Sequence, residues 1–158
     1  MKTPYSSLPV RFFLLSVLVI FAVACAGPAA IPKPPKLQIN ITASNDVNPD
    51  IDKRPSPVIL HVLELSAVDE FNKADFFALT ANDATALGGD VLNKTEIILT
   101  PGSSKSMTLD LKPDTTNIGF VAGYRDIDNA RWRVSQEVSR AETSQMSVEI
   151  GNQRISIN

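Results

Sequence analysis

Leu37-Gln38-Ile39-Asn40-Ile41-Thr42-Ala43 is the stretch that decides the fold class. Leu37, Ile39, Ile41 and Ala43 fall on one side of an extended chain, and Gln38, Asn40 and Thr42 on the other. Such alternation marks a strand with one buried face. Similar runs follow. Pro57–Leu65 is apolar on both faces apart from His61 and Glu64, which predicts the central strand of a packed sheet. Glu96–Thr100 and Met107–Leu111 flank Pro101-Gly102-Ser103-Ser104 and read as a hairpin. Asn117–Tyr124 is a second heavily apolar strand. Along Arg131–Val138, Trp132, Val134 and Val138 face one way, and Arg131, Arg133, Ser135 and Glu137 the other. Met146, Val148 and Ile150, then Ile155 and Ile157, supply the last strands across a turn at Gly151-Asn152. About seven or eight short strands at this spacing predict an all-β chain, a two-sheet antiparallel β-sandwich.

One segment departs from period two. Ser66-Ala67-Val68-Asp69 resembles a capping box, and Val68, Phe71, Phe76 and Leu79 recur at helical spacing before Gly88-Gly89. Two short helices are therefore expected over residues 67–86, inserted between strands, with aromatics capping the end of the sandwich. Trp132 is expected in the core, because its strand neighbours alternate cleanly.

The N-terminus carries an address. Lys2 and Arg11 precede an apolar run from Phe12 to Val23, and Ala22-Val23-Ala24 supplies small residues of a cleavage site. The run is shorter than the roughly 20 apolar residues that span a bilayer. Cys25, the single cysteine, follows at once, in the pattern of a bacterial lipoprotein whose thiol is acylated with palmitate-class chains. The alternative is an ordinary secretory signal with a chance cysteine at the cut. Ala26 in place of Asp favours the outer membrane over retention at the inner one. Residues 1–24 thus read as a signal peptide. Residues 25–36 read as an acylated cysteine with a proline-rich tether, reaching roughly 30 Å in polyproline II form. The folded domain is expected over 37–158.

Composition narrows the function. Residues 1–24 hold two basic residues and no acidic one, so their removal takes the net charge from −2 to −4. Mild acidity with dispersed signs argues against nucleic acid, which calls for a clustered basic face. His61 is the only histidine and sits mid-strand, where a satisfied core or surface role is the expectation. Neither a metal site nor a nucleophile–base pair can be assembled around it. Asp126-Ile127-Asp128 followed by Glu137 mimics the ends of a calcium loop, but Ala130 and Arg131 stand where an oxygen ligand and a glycine are needed. Asn40-Ile41-Thr42 and Asn93-Lys94-Thr95 match glycosylation acceptors, a short pattern without meaning in a bacterial lipoprotein. No enzyme, cofactor or metal is expected.

Asn45–Ser56 joins two strand-like runs with more residues than a tight hairpin needs, and Pro49 and Pro55 limit its freedom. Long ordered loops on a rigid scaffold carry recognition; a solvated connection is the other reading. Here the residues resemble a family. Asn48-Pro49-Asp50, Arg54-Pro55-Ser56-Pro57-Val58 and Leu63-Glu64-Leu65 are similar to the opening signature of the TssJ (SciN) family of type VI secretion outer-membrane lipoproteins. The similarity continues through Ala74-Asp75-Phe76-Phe77-Ala78-Leu79 and Leu87-Gly88-Gly89-Asp90. It resumes at Val121-Ala122-Gly123-Tyr124-Arg125-Asp126-Ile127-Asp128 and Ala130-Arg131-Trp132-Arg133. Many members carry glycine just before the Arg-Pro-Ser-Pro run, where this chain has Lys53.

The resemblance implies a transthyretin-like sandwich with a small helical addition. It also implies a periplasmic protein tethered to the outer membrane. Such a protein binds the periplasmic C-terminal domain of the inner-membrane protein TssM, and through it indirectly TssL. The loop between the first two strands makes that contact in the family. It maps here onto Asn48, Pro49, Asp50, Ile51, Asp52, Lys53 and Arg54, with Ile51 as apolar anchor and the flanking charges setting register and on-rate. Two roles stand open for Arg54: partner contact, or internal pairing with Asp50 or Asp52. The competing readings are an outer-membrane lipoprotein that binds a small ligand or inhibits a periplasmic enzyme, and a periplasmic carboxylate-dependent hydrolase.

Overall fold

The alternation of Leu37–Ala43 is reproduced as burial: all four apolar residues are buried in strand β1 (Lys36–Ala43), while the residues between them are half-buried or exposed. The computed structural model describes residues 33–81, 89–139, 141 and 143–158. Lys33–Asn158 form one self-contained unit. After β1 come β2 (Val58–Leu65), the five-residue helices α1 (Asp69–Lys73) and α2 (Phe76–Thr80), and then β3 (Val91–Leu99) and β4 (Ser104–Asp110). The chain ends with β5 (Asn117–Ala122), β6 (Arg133–Glu137), β7 (Thr143–Ile150) and β8 (Ile155–Ile157). The signal segment, Cys25 and most of the tether lie outside the described residues, as do 82–86 of the expected helical insertion.

Two four-stranded sheets face each other, in the orders β4-β1-β7-β8 and β3-β2-β5-β6. Their inner faces share one core in which Leu37, Ile39 and Ile41 meet Leu60, Val62, Ile118 and Phe120. The sandwich is as expected, except that β1 and β7 run parallel; every other strand pairing is antiparallel. β2 is central and buried on both faces, as its unbroken apolar run predicts. Its second face is covered by α1 and α2: Leu63, Leu65 and Val121 pack under Phe71 and Leu79. The helical aromatics therefore cover the outer face of a sheet, not the end of the sandwich. Trp132 packs against both clusters.

Three local expectations are corrected. Glu96–Thr100 and Met107–Leu111 are not a hairpin, because β3 pairs with β2 and β4 pairs with β1. The connection is a crossover between sheets, drawn to β1 by Ala43 N–H to Ser103 O (2.8 Å) and Gly102 N–H to Ser44 O (3.1 Å). The capping box at Ser66–Asp69 does not form. Val68 is the N-cap of α1 without a side-chain bond, and the Ser66 hydroxyl donates to Asp90 O instead. Asp75 is the working cap, accepting from Ala78 N–H at the start of α2. Finally, His61 is buried but unsatisfied: its Nδ1 has no hydrogen-bond partner and sits 3.7 Å from the Glu96 carboxylate.

Two cations fasten the helices to the sheet. Arg133 donates to the carbonyls of Phe71 and Ala74 at the end of α1, and Lys94 donates to Leu79, Thr80 and Ala81 at the end of α2. The final carbonyls of a helix have no internal partner and carry partial negative charge, so a cation there satisfies both needs.

Candidate functional site

β1 and β2 leave the sandwich at one end, and the long connection between them folds back on itself. Val47 is fully buried and plugs that end of the core. Asn48 follows in a left-handed conformation (φ 50°), which asparagine tolerates better than most residues. Its side chain is buried and joins two loops. The amide nitrogen donates to Pro57 O (2.7 Å), and the amide oxygen accepts from Arg125 N–H (2.8 Å) on the β5–β6 loop. Its backbone N–H donates to Asn152 O (2.9 Å) in the β7–β8 turn. Asn152 in turn donates to Asp46, and the Tyr124 hydroxyl donates to Gly151 O. Gly102, at φ 71°, brings the β3–β4 loop against Asn45. All four connections at this end are thereby tied together.

Beyond Asn48 the loop closes a ring. Asp50 N–H donates to Arg54 O, and Lys53 N–H to Asp50 O, each at 2.9 Å. The Asp50 carboxylate accepts from the backbone N–H of Asp52 and Arg54 and from Arg54 Nε at 2.8 Å. The guanidinium also reaches Asp52 at 3.1 Å. These contacts, led by the Arg54 backbone N–H, hold the Asp50 carboxyl below its usual pKa. Lys53 is left-handed (φ 63°), a conformation that glycine adopts at less cost than lysine. Ile51 stands at the tip with 98% of its surface exposed. Beside it lies an open concavity of about 780 Å³, lined by the tip together with Arg125, Asp126, Asn152 and Gln153.

The profile of the type VI secretion lipoprotein family (T6SS-SciN; VasD, EvfM, TssJ) matches residues 35–153. The chain belongs to that family. Among solved structures it is similar to the type VI lipoprotein TssJ1 of Pseudomonas aeruginosa, with 36% identity over 79% of this chain and 95% of that one, at a TM-score of 0.76. Lip of Serratia marcescens, a membrane-bound component of the type VI secretion system, matches at 25% identity, 79% and 96% coverage, and a TM-score of 0.73. A chain of a type VI membrane complex shares the fold at 22% identity, with 80% and 99% coverage and a TM-score of 0.71. No curated protein sequence matches.

Within this type VI secretion lipoprotein the seven loop residues singled out from sequence divide by role. Asn48 is buried and faces inward, so it shapes the loop and does not present a contact surface. Arg54 is bonded to Asp50 and Asp52, and its side chain stays largely exposed at the concavity. Pro49, Ile51 and Lys53 line the concavity, with Ile51 as the apolar projection. Arg125, Asp126, Asn152 and Gln153 were missed. They lie about 70 to 105 residues from the loop in sequence, and their local signals were the polar run after Tyr124 and the Gly151-Asn152 turn. Asp126 is oriented by Asn129 and Gln153, which donate to it at 2.9 Å each. Among the described residues no group of three His, Cys, Asp or Glu is placed to hold a metal.

Proposed function

We propose that this protein is an outer-membrane-anchored periplasmic lipoprotein, acylated at Cys25, that binds the periplasmic C-terminal domain of a TssM-like inner-membrane protein. Through that protein it is linked to a TssL-like one. Its role is structural: it ties the secretion apparatus to the outer membrane and performs no catalysis. Family membership supports the system, and the exposed Ile51 on a clasped loop supports the site. An isoleucine that shows nearly all its surface to water leaves about 1.5–3 kcal/mol of burial free energy unclaimed. Because Asp50 and Arg54 already fix the ring, little further ordering is needed when the tip is covered.

The test is binding of residues 26–158 to the periplasmic C-terminal domain of the host's TssM-like protein, alongside Ile51→Ala and Ile51→Asp. The expected result is saturable binding, weakened roughly thirtyfold or more by Ile51→Ala, as for an interface hot spot of about 2 kcal/mol. Binding indifferent to both substitutions moves the interface away from the loop. The absence of any binding removes the partner.

A further inference from the structure

β3 is the longest strand and forms one edge of its sheet. The opposite edges, β6 and β8, are short, and a bridge between Arg131 and Arg154 draws them together. The direction of the free backbone groups on β3 follows from its neighbours. Gly123 N–H donates to Ile59 O, so odd-numbered residues of β2 address β5 and even-numbered ones address β3. With Leu60 opposite Ile97 and Val62 opposite Thr95, the odd residues of β3 point into the sheet. The N–H and C=O groups of Lys94, Glu96 and Ile98 therefore point off it.

Such an edge is normally guarded by proline, a bulge or a mobile lysine. β3 has no proline, and its register shift leaves Leu92 without a partner on β2, at the end away from Ile98. Its one lysine is tied down: Lys94 is committed to the three carbonyls at the end of α2. Among the described residues, only Lys112, an exposed side chain, reaches the edge, at the Leu92 carbonyl. Next to the edge, Ile98 (58% exposed) and its cross-strand neighbour Ile59 form an apolar patch on the outer face.

We propose that β3 pairs antiparallel with β3 of a second copy of this chain, about a two-fold axis through Thr95. Three registers centred on the strand put outward-pointing backbone groups opposite each other. Centring on Lys94 opposes two lysines, and centring on Glu96 opposes two glutamates. Centring on Thr95 sets Lys94 against Glu96, twice by symmetry, so opposite charges meet across the strands and Ile98 lies along the edge of the second copy. The inference is independent of the loop reading, since β3 takes no part in the ring at Asp50–Arg54.

Residues 26–158 are suited to the test, because they contain no cysteine and the solved Pseudomonas relative is little more than this domain. Thr95→Cys puts the two thiols across a pair without backbone bonds, where Cα atoms sit roughly 4.5 Å apart, within disulfide reach. Expected are a mass that rises toward a dimer with concentration and a Thr95→Cys dimer under mild oxidation. It should form faster than one from Ser106→Cys on the other long edge strand. Glu96→Lys, which opposes lysines twice, should weaken association about tenfold or more. A mass that stays monomeric overturns the proposal. So does association in which Thr95→Cys crosslinks no faster than Ser106→Cys, or Glu96→Lys, shown folded by its far-ultraviolet spectrum, associates as well as the native chain.

Discussion

Replacing Asn48 tests whether the end of the sandwich is one rigid platform. Asn48→Ala removes a donor to Pro57 O and an acceptor for Arg125 N–H, both part-buried. Each abandoned partner costs about 1–3 kcal/mol when water cannot replace the bond, although the deleted side chain leaves a space that water can enter. Alanine in the left-handed region at φ 50° adds roughly 1 kcal/mol. The total expected is about 3 kcal/mol. Two further substitutions separate the contributions. Asn48→Gly loses the same bonds without the backbone penalty, and should be about 1 kcal/mol less harmful than Asn48→Ala. Asn48→Asp keeps the acceptor for Arg125 but sets a carboxylate against the Pro57 carbonyl, so it should resemble or exceed alanine. Urea unfolding followed by Trp132 fluorescence gives the three free energies, and amide exchange at Arg125 reports the lost bond directly. A cost below about 1 kcal/mol for Asn48→Ala, with unchanged exchange at Arg125, would refute the claim that this amide joins the loops.

Three more outcomes are expected. Gly119→Ala places a methyl 2.6 Å from Phe71 Cε2 and 2.8 Å from its Cζ, so it should destabilise by about 1–3 kcal/mol in urea unfolding, and by less when combined with Phe71→Leu. Burial, and secondarily the Lys94 charge, hold His61 below its usual pKa of 6.5, against the opposing pull of Glu96. The contribution of the neutral ring is therefore complete above pH about 6.5 and is lost as pH falls through the lower folded value, a slope that His61→Leu should abolish in pH-dependent unfolding. Lys53→Gly relieves a left-handed residue but loosens the unfolded chain, so unfolding should shift by no more than about 1 kcal/mol, and the Asp50–Arg54 ring should persist in amide exchange.

What was legible from sequence followed period and local chemistry. Leu37–Ala43 and Pro57–Leu65 gave strand, face and depth, because a buried side chain leaves its mark on its own position. The unbroken apolar run of β2 even announced a second covered face, although not that Phe71 and Leu79 cover it. Pairing was not legible where two solutions share one local pattern. Leu99–Ser104 has the length and the Pro-Gly of a hairpin turn, yet the backbone groups of Ala43 and Ser44 take Gly102 and Ser103 and carry the chain into the other sheet. Nor could sequence tell a buried asparagine from an exposed one. Asn48 became a loop-joining residue only when Arg125, far along the chain, came within 2.8 Å.

The loop's charges bear on how it can recognise anything. Sequence suggested that Asp50, Asp52 and Arg54 steer a partner and fix register. Folded, Arg54 lies 2.8 Å from one carboxylate and 3.1 Å from the other; the trio keeps one negative charge, which the neighbouring Lys53 offsets, so beyond the loop the net field is small. Their effect is conformational: the ring holds Ile51 outward without adding side-chain disorder that binding would have to remove. Lys53 and Arg125, which have no ion pair among the described residues, are the cations left at the rim of the concavity. Affinity at this site should therefore track the apolar surface of Ile51 and depend only weakly on salt. Protonating Asp50 should act through the shape of the tip. Because the ring holds that carboxyl below the usual pKa, its support is complete above pH about 4 and fades only as pH falls through the lower folded value.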